Sequence, residues 1–168
     1  MSDTYLGATE RAAIIRAALK ARKWSSRDVS VKADYFSMGS AIRIRIKNAA
    51  VPLAAVKEIA AEHESISRDA SGEILSGGNR YLDIGYSSEA REALAAQHLP
   101  AVEAALEKLA ASENQSYLIP IEGSAFLLGV GRHGLSYGYS LWTNGGHDAE
   151  VCDLKEAAIV VGMGGRRG

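Results

Sequence analysis

Three groups of residues have types that carry chemistry in other proteins. Gly129-Val130-Gly131-Arg132-His133-Gly134 matches the spacing G-x-G-x-x-G. A dinucleotide site needs a helix directly after that run, because the helix N-terminus holds the pyrophosphate. Here Leu135 to Thr143 follows and alternates like a strand, so the run reads as a hairpin turn. His133 and His147, with Asp148 beside the second, have the types of a metal or acid–base pair. They fall in turns at opposite ends of one strand, about nine residues or ~30 Å apart at strand rise, which argues against a shared site. The lone Cys152 excludes an internal disulfide and a multi-cysteine zinc site, and in a strand it reads as a small core residue. His63 has no second ligand at metal-site spacing, and no serine sits on a nucleophile elbow. Gly77-Gly78 would offer backbone N–H groups to an anion, but the pair reads better as a flexible turn. The expectation is a protein that is not an enzyme, with no cofactor and no metal.

The cations carry a clearer pattern. The chain has 168 residues and a net charge of −1, yet residues 1–50 sum to +6, residues 51–112 to −5 and residues 113–168 to −2. A basic N-terminal third suits phosphates or an acidic protein surface, or it simply offsets the acidic middle within one fold. Its centre is the stretch Arg27–Lys47. Val29, Val31, Ala33 and Tyr35 alternate with Ser30, Lys32 and Asp34, and Ile42, Ile44 and Ile46 alternate with Arg43, Arg45 and Lys47. Both runs have the period of two of half-buried strands. Turn residues lie between them, so the stretch predicts a β-hairpin. Pairing Phe36 with Ala41 leaves a four-residue loop, Ser37 to Ser40, and sets Asp34 opposite Arg43 and Lys32 opposite Arg45. Burying the isoleucines then puts Lys32, Arg43, Arg45 and Lys47 on the outer face.

The elements that position this hairpin follow from periodicity. Thr9 is placed to cap a helix from Glu10 to about Lys23, with Ala12, Ile15, Ala18 and Leu19 as its apolar stripe. Arg16, Lys20 and Lys23 recur on its flank, where they either face solvent or extend the basic surface of the hairpin. Pro52 opens a second helix to about Glu64. Arg80 to Tyr86 predicts a third strand, after a polar loop with turn signals at Arg68–Gly72 and Ser76–Asn79. Ser87 or Ser88 caps a long helix to about Ala111, with a kink or break expected near Pro100. Beyond it, Tyr117–Ile121, Ala125–Val130, Leu135–Thr143 and Glu150–Asp153 read as strands of an antiparallel meander. Val151–Leu154 and Ile159–Val161 are candidates for its last paired segments. Gly162–Gly168 reads as a tail in which Arg166 and Arg167 add mobile positive charge.

The expected fold class is therefore α+β: a helix–hairpin–helix–strand core, a long covering helix and a C-terminal antiparallel meander. Residues 1–112 would form the core domain, and residues 113–168 an extension or a further part of the same domain. A composition of 47% hydrophobic and 23% charged residues is ordinary for a globular protein. No apolar run reaches the ~20 residues that span a bilayer. The start, Met1-Ser2-Asp3-Thr4-Tyr5, lacks a basic region and an apolar core, so a cytoplasmic protein is expected.

Residues 12–86 resemble one of the large polyvalent protein-associated domains, small modules of phages and conjugative plasmids. The similarity lies in the order of parts and in local phrases. A helix with Ile15-Arg16 and Leu19-Lys20 precedes Val29-Ser30-Val31. Then come Gly39-Ser40-Ala41-Ile42-Arg43-Ile44-Arg45, a Pro52-led helix, a loop bearing Asp69, and Gly77-Gly78-Asn79-Arg80-Tyr81 at the start of a strand. The resemblance does not extend to residues 117–168. It implies a mobile element of a bacterial host, in which small proteins often counter host defences by binding and blocking, as anti-CRISPR or anti-restriction factors. On that basis the expected function is a non-enzymatic inhibitor whose partner is a host defence protein or ribonucleoprotein complex. The alternative is a nucleic-acid-binding accessory protein. Either would use Lys32, Arg43, Arg45 and Lys47, with Arg16 and Lys20 as the helix flank of the same surface.

Overall fold

The computed structural model describes residues 6–37, 39–75, 79–111, 118–133 and 136–165. Among them are four α-helices and two β-sheets, an α+β fold whose C-terminal sheet is antiparallel throughout. Among the described residues no helix is long and apolar enough to cross a membrane. The chain divides into two compact units, Met1–Ala90 and Arg91–Gly168. The sequence reading set the division after residue 112. It falls earlier because Val102 and Ala105 of the long helix belong to the same buried cluster as Leu128, Leu141 and Val151 of the C-terminal sheet.

In the first unit, α1 (Ala8–Ala21) leads to strands β1 (Val29–Phe36) and β2 (Gly39–Ile46). Then follow α2 (Leu53–Ala60), a single turn of 3-10 helix and β3 (Asn79–Tyr86). The helix α1 begins two residues earlier than expected: Gly7, not Thr9, is the N-cap, and its N–H donates to the Glu10 carboxylate at 2.9 Å. The Thr9 hydroxyl instead meets the Tyr35 hydroxyl at 3.0 Å. The hairpin forms with the isoleucines buried, but its register is two residues tighter than the loop length suggested. Phe36 faces Gly39, which leaves two residues between the strands, and Lys32 faces Arg43. A shift of two keeps every side chain on its expected face. Gly39 permits the tight end. Its φ is +155°, and a Cβ there would sit 2.5 Å from the Asn79 carbonyl oxygen, so only glycine fits between β2 and β3.

β3 runs parallel to β2, Ile42 beside Leu82 and Arg43 beside Asp83, giving the order β1-β2-β3. A parallel partner needs a crossover, and the segment carrying α2 supplies it. Both helices pack on one face of this sheet. Ile15 and Leu19 of α1, Val29 and Val31 of β1, Ile42, Ile44 and Ile46 of β2, and Val56 and Ala60 of α2 are all buried there. The Tyr86 hydroxyl donates to the Val51 carbonyl at 2.8 Å, and burial pushes this phenol's pKa up. Arg11 lies on the buried face of α1, donating to the His63 carbonyl and to Ser40 Oγ, each at 2.7 Å.

The helix α3 (Ser88–Ala110) runs unbroken through Pro100, which is exposed. The expected break does not occur. A single proline removes one backbone hydrogen bond, and the apolar face formed by Leu99, Val102, Leu106 and Leu109 continues across it. In the second unit, β4 (Ile119–Pro120), β5 (Leu127–His133), β6 (Ser136–Thr143) and β7 (Gly146–Val151) pair in sequence order. The chain then turns into α4 (Leu154–Met163), not into further strand. The Asp153 carboxylate accepts from the Glu156 N–H at 2.7 Å and caps the helix. Gly164, at φ +77°, ends it in the left-handed conformation. Ala157 to Val161 are all buried, so this is a helix apolar all round, a composition that a short run cannot distinguish from strand.

Candidate binding site

The four hairpin cations stand on the outer face of the N-terminal sheet, as their alternation required. What the alternation did not reveal is the partner that β3 brings. Parallel pairing sets Asp83 beside Arg43, and the Arg45 guanidinium closes on the Asp83 carboxylate with both amino groups, Nη1 meeting Oδ1 at 2.9 Å. Arg45 Nη1 also donates to the Asp83 carbonyl at 3.0 Å. Arg43 bridges the two carboxylates of the face, Asp34 at 3.0 Å and Asp83 at 3.4 Å. The hydrogen bond from Arg45 holds the Asp83 carboxyl below the usual carboxylate range, and the same bond raises Arg45. Lys47 donates to the Ser26 carbonyl at 3.3 Å, and Lys32 is exposed. Two carboxylates therefore answer four cations on this face. The side chains of Arg43 and Asp83 each remain about half exposed, at 51% and 53%.

At the hairpin end of the same face the chemistry changes. Phe36 and Tyr81 meet with ring centroids 5.9 Å apart, and Phe36 is 46% exposed. Tyr35, on the other face of β1, is 64% exposed and anchored by its hydroxyl, which accepts from the Thr9 N–H at 3.0 Å. An open sheet face thus carries a charge-paired centre and an aromatic end. The sequence showed each aromatic. It did not show that Tyr81 stacks beside Phe36, because that contact depends on the parallel register of β3.

Arg16 and Lys20 do not continue this face. The helix that bears them packs on the opposite side of the sheet, so the stripe flanks the free edge of β1. The Arg16 guanidinium reaches the Val31 carbonyl through Nη2 at 2.8 Å and Nε at 3.3 Å. Arg16 and Lys20 share an open cleft of about 430 Å³ with Leu19, Trp24, Ser25, Ser26, Val29 and Val31. The turn below it is held by Asp28. Its carboxylate accepts from Asn48 Nδ2 at 2.9 Å and from the Ser25 N–H and hydroxyl at 2.9 and 2.8 Å. These bonds, that from Asn48 first, bring its pKa down to about 2.

The G-x-G-x-x-G run lies along β5 toward the antiparallel β6, in a strand–strand context. Gly134 lies outside the described residues, as do the Gly77-Gly78 pair and the arginines Arg166 and Arg167. His147 is the second residue of β7, where it packs edge-on against Trp142 at a centroid distance of 5.1 Å and approaches Glu150 at 3.3 Å. Among the described residues no group of three or more His, Cys, Asp or Glu side chains converges as a metal site. Cys152 is exposed at the end of β7, not in the core as its neighbourhood suggested. Comparison with protein-family models, with curated proteins and with solved structures returned no match.

Proposed function

We propose that this chain acts without catalysis, as a phage- or plasmid-borne inhibitor that binds and blocks a host defence protein, the role that the resemblance of residues 12–86 implies. The observation that supports a protein partner is the open outer face of the N-terminal sheet. Arginines and aromatic rings are the side chains that most often anchor protein interfaces. Here Arg43 and Arg45 are held in place by carboxylates, and Phe36 and Tyr81 form a pre-stacked pair at one end. Held side chains lose less conformational freedom on docking than free ones. A nucleic-acid-binding accessory protein is the competing reading. It requires Arg43 and Arg45 to exchange Asp34 and Asp83 for phosphates, and the two carboxylates repel phosphate at the place where it would bind.

The test is protection of an invading phage or plasmid in a host that carries an active CRISPR or restriction system. Expression of the chain raises plaquing or transformation efficiency, and the Phe36→Ala/Tyr81→Ala variant loses that effect while still melting cooperatively. In parallel, short single- and double-stranded DNA and RNA show no salt-sensitive binding in an anisotropy titration. Absence of protection across such systems overturns the inhibitor. Nucleic-acid affinity that falls steeply with salt and disappears in Arg43→Glu/Arg45→Glu replaces it with the accessory protein.

A further inference from the structure

We propose that the cleft between α1 and the free edge of β1 receives an extended acidic peptide segment, which adds to the N-terminal sheet as a fourth strand. This surface is separate from the outer face, so the proposal stands or falls independently of the inhibitor reading.

Three observations carry it. The first is the state of the two sheet edges. Along β3, Ser65 and Arg80 exchange backbone hydrogen bonds at 3.0 and 2.8 Å, and the Leu82 N–H is taken by the Glu64 carboxylate at 3.3 Å. That edge is blocked in the manner expected of a protected strand. Along β1 the backbone of alternate residues points outward. Lys47 N–H donates to the Asp28 carbonyl at 2.7 Å, which fixes the even-numbered residues of β1 toward β2 and the odd-numbered ones toward the edge. The Val29 N–H is bound to the Ser25 carbonyl at 2.9 Å, and the Val31 carbonyl to Arg16. The Val31 N–H and both backbone groups of Ala33 face outward from the sheet, on the side where an added strand would pair.

The second observation is the shape and polarity of the cleft beside that edge. Its apolar lining is Leu19, Trp24, Val29 and Val31, and its volume of about 430 Å³ is that of a site for a few residues. An extended segment of about five residues, ~17 Å long, matches the length of an ordinary strand. Successive side chains of such a segment alternate between faces. Those directed toward α1 are two apart, one apolar over Leu19 and Trp24 and the next beside Arg16 and Lys20.

The third is charge. Among the described residues, Arg16 and Lys20 are the only ionisable ones lining the cleft, and no carboxylate lines it. Asp28, in the turn that carries Ser25 and Ser26, is engaged by Ser25 and Asn48. The complement is therefore a segment that places a glutamate or aspartate two residues from an apolar side chain. Main-chain bonds supply affinity and alternate side chains supply selectivity, as in other cases of strand addition.

The test uses the full chain, labelled with ¹⁵N, and an acetylated, amidated hexapeptide of sequence Thr-Val-Thr-Glu-Thr-Glu. Expected are saturable amide shifts at Val31 and Ala33 and at the Trp24 indole. Replacing both glutamates by lysine weakens binding about tenfold or more, since like charge then meets Arg16 and Lys20. Lys20→Glu, an exposed change on α1 whose folding a thermal melt checks, reverses that preference. N-methylation separates strand addition from side-chain attraction. Methylating one alternate set of peptide nitrogens abolishes binding and methylating the other does not. No shifts at millimolar peptide, or equal binding of the two methylated forms, overturns the proposal. Displacement of the peptide by oligo-dT at the same amides, with higher affinity, assigns the cleft to nucleic acid instead.

Discussion

The N-terminal unit carries two basic surfaces of opposite character. On the outer sheet face, four cations are met by Asp34 and Asp83, and the arginines are fixed in a lattice of charge-assisted bonds. In the edge cleft, Arg16 and Lys20 line a partly apolar groove that holds no carboxylate among the described residues. Both surfaces are made from the same basic third of the chain, and a count of lysines and arginines cannot tell them apart. The difference comes from a single strand. Asp83 lies 38 residues beyond Arg45 in sequence, and only the parallel register of β3 delivers it to the outer face. Positive charge that is already paired shapes and stiffens a surface, while positive charge beside a sheet edge with outward-facing backbone groups is available to select a ligand.

The comparison can be broken outright by removing the sheet that separates the two surfaces. Ile44 is completely buried on the face that receives α1 and α2. Ile44→Asp buries a carboxylate among hydrocarbon and is expected to cost on the order of 4 kcal/mol or more, abolishing cooperative melting of this unit by circular dichroism. A variant that melts like the parent contradicts the sheet's placement. Gly39→Ala attacks the junction of β2 and β3. The added methyl meets backbone, not a movable side chain, so a loss of about 2–3 kcal/mol in urea unfolding is expected. Such a loss would show that the delivery of Asp83 depends on that close approach.

Asp83→Asn sharpens the contrast without dismantling the fold. The ion pairs it weakens are half exposed, so stability should fall by about 1 kcal/mol or less. The outer face then gains net positive charge, and retention on a heparin column should move to higher salt. Unchanged retention would mean that the pairing does not mask these cations. The smallest effect belongs to Asp28 below the cleft. Its folded pKa of about 2 lies beneath the ordinary aspartate value of 3.8. A depressed carboxyl contributes stability that is complete above the unfolded value and is lost as pH falls through the folded one. Between pH 4 and pH 2 the parent should therefore lose more stability than Asp28→Asn, read as the change in urea midpoint. Equal losses would detach the cleft's turn from this carboxylate.

How much of this was legible in the sequence depended on the range of the interaction. The strands β1 and β2, the helices α1 and α2 and the faces of the hairpin follow from local alternation and helical spacing. The hairpin's register did not, because a shift of two residues preserves every face, and the deciding contact is Gly39 against Asn79 in another strand. Within α4, Ile159–Val161 reads from the sequence as a candidate paired segment, since Ala157 to Val161 is an unbroken apolar run. The signal that would have settled it was the capping pair Asp153 and Glu156. Arg11 was overlooked for a similar reason. It shares the spacing of Ala8, Ala12 and Ile15 on the buried face, and a cation at such a position points to interior hydrogen bonds. Of the candidate site residues, Lys32, Arg43, Arg45 and Lys47 fall together as expected. Arg16 and Lys20 fall elsewhere, because α1 lays its apolar stripe on the isoleucine face and its cationic flank then lies beside β1, not over the outer face.

The unbroken course of α3 bears on where this chain can be cut. The break in composition after Ser112 suggests a seam there, yet Val102 and Ala105 lie in the same apolar cluster as Leu128, Leu141 and Val151. A fragment that starts at residue 113 would expose that cluster. One that starts near Ser88 would carry its own cover, and for separate expression or recombination it is the better portable half.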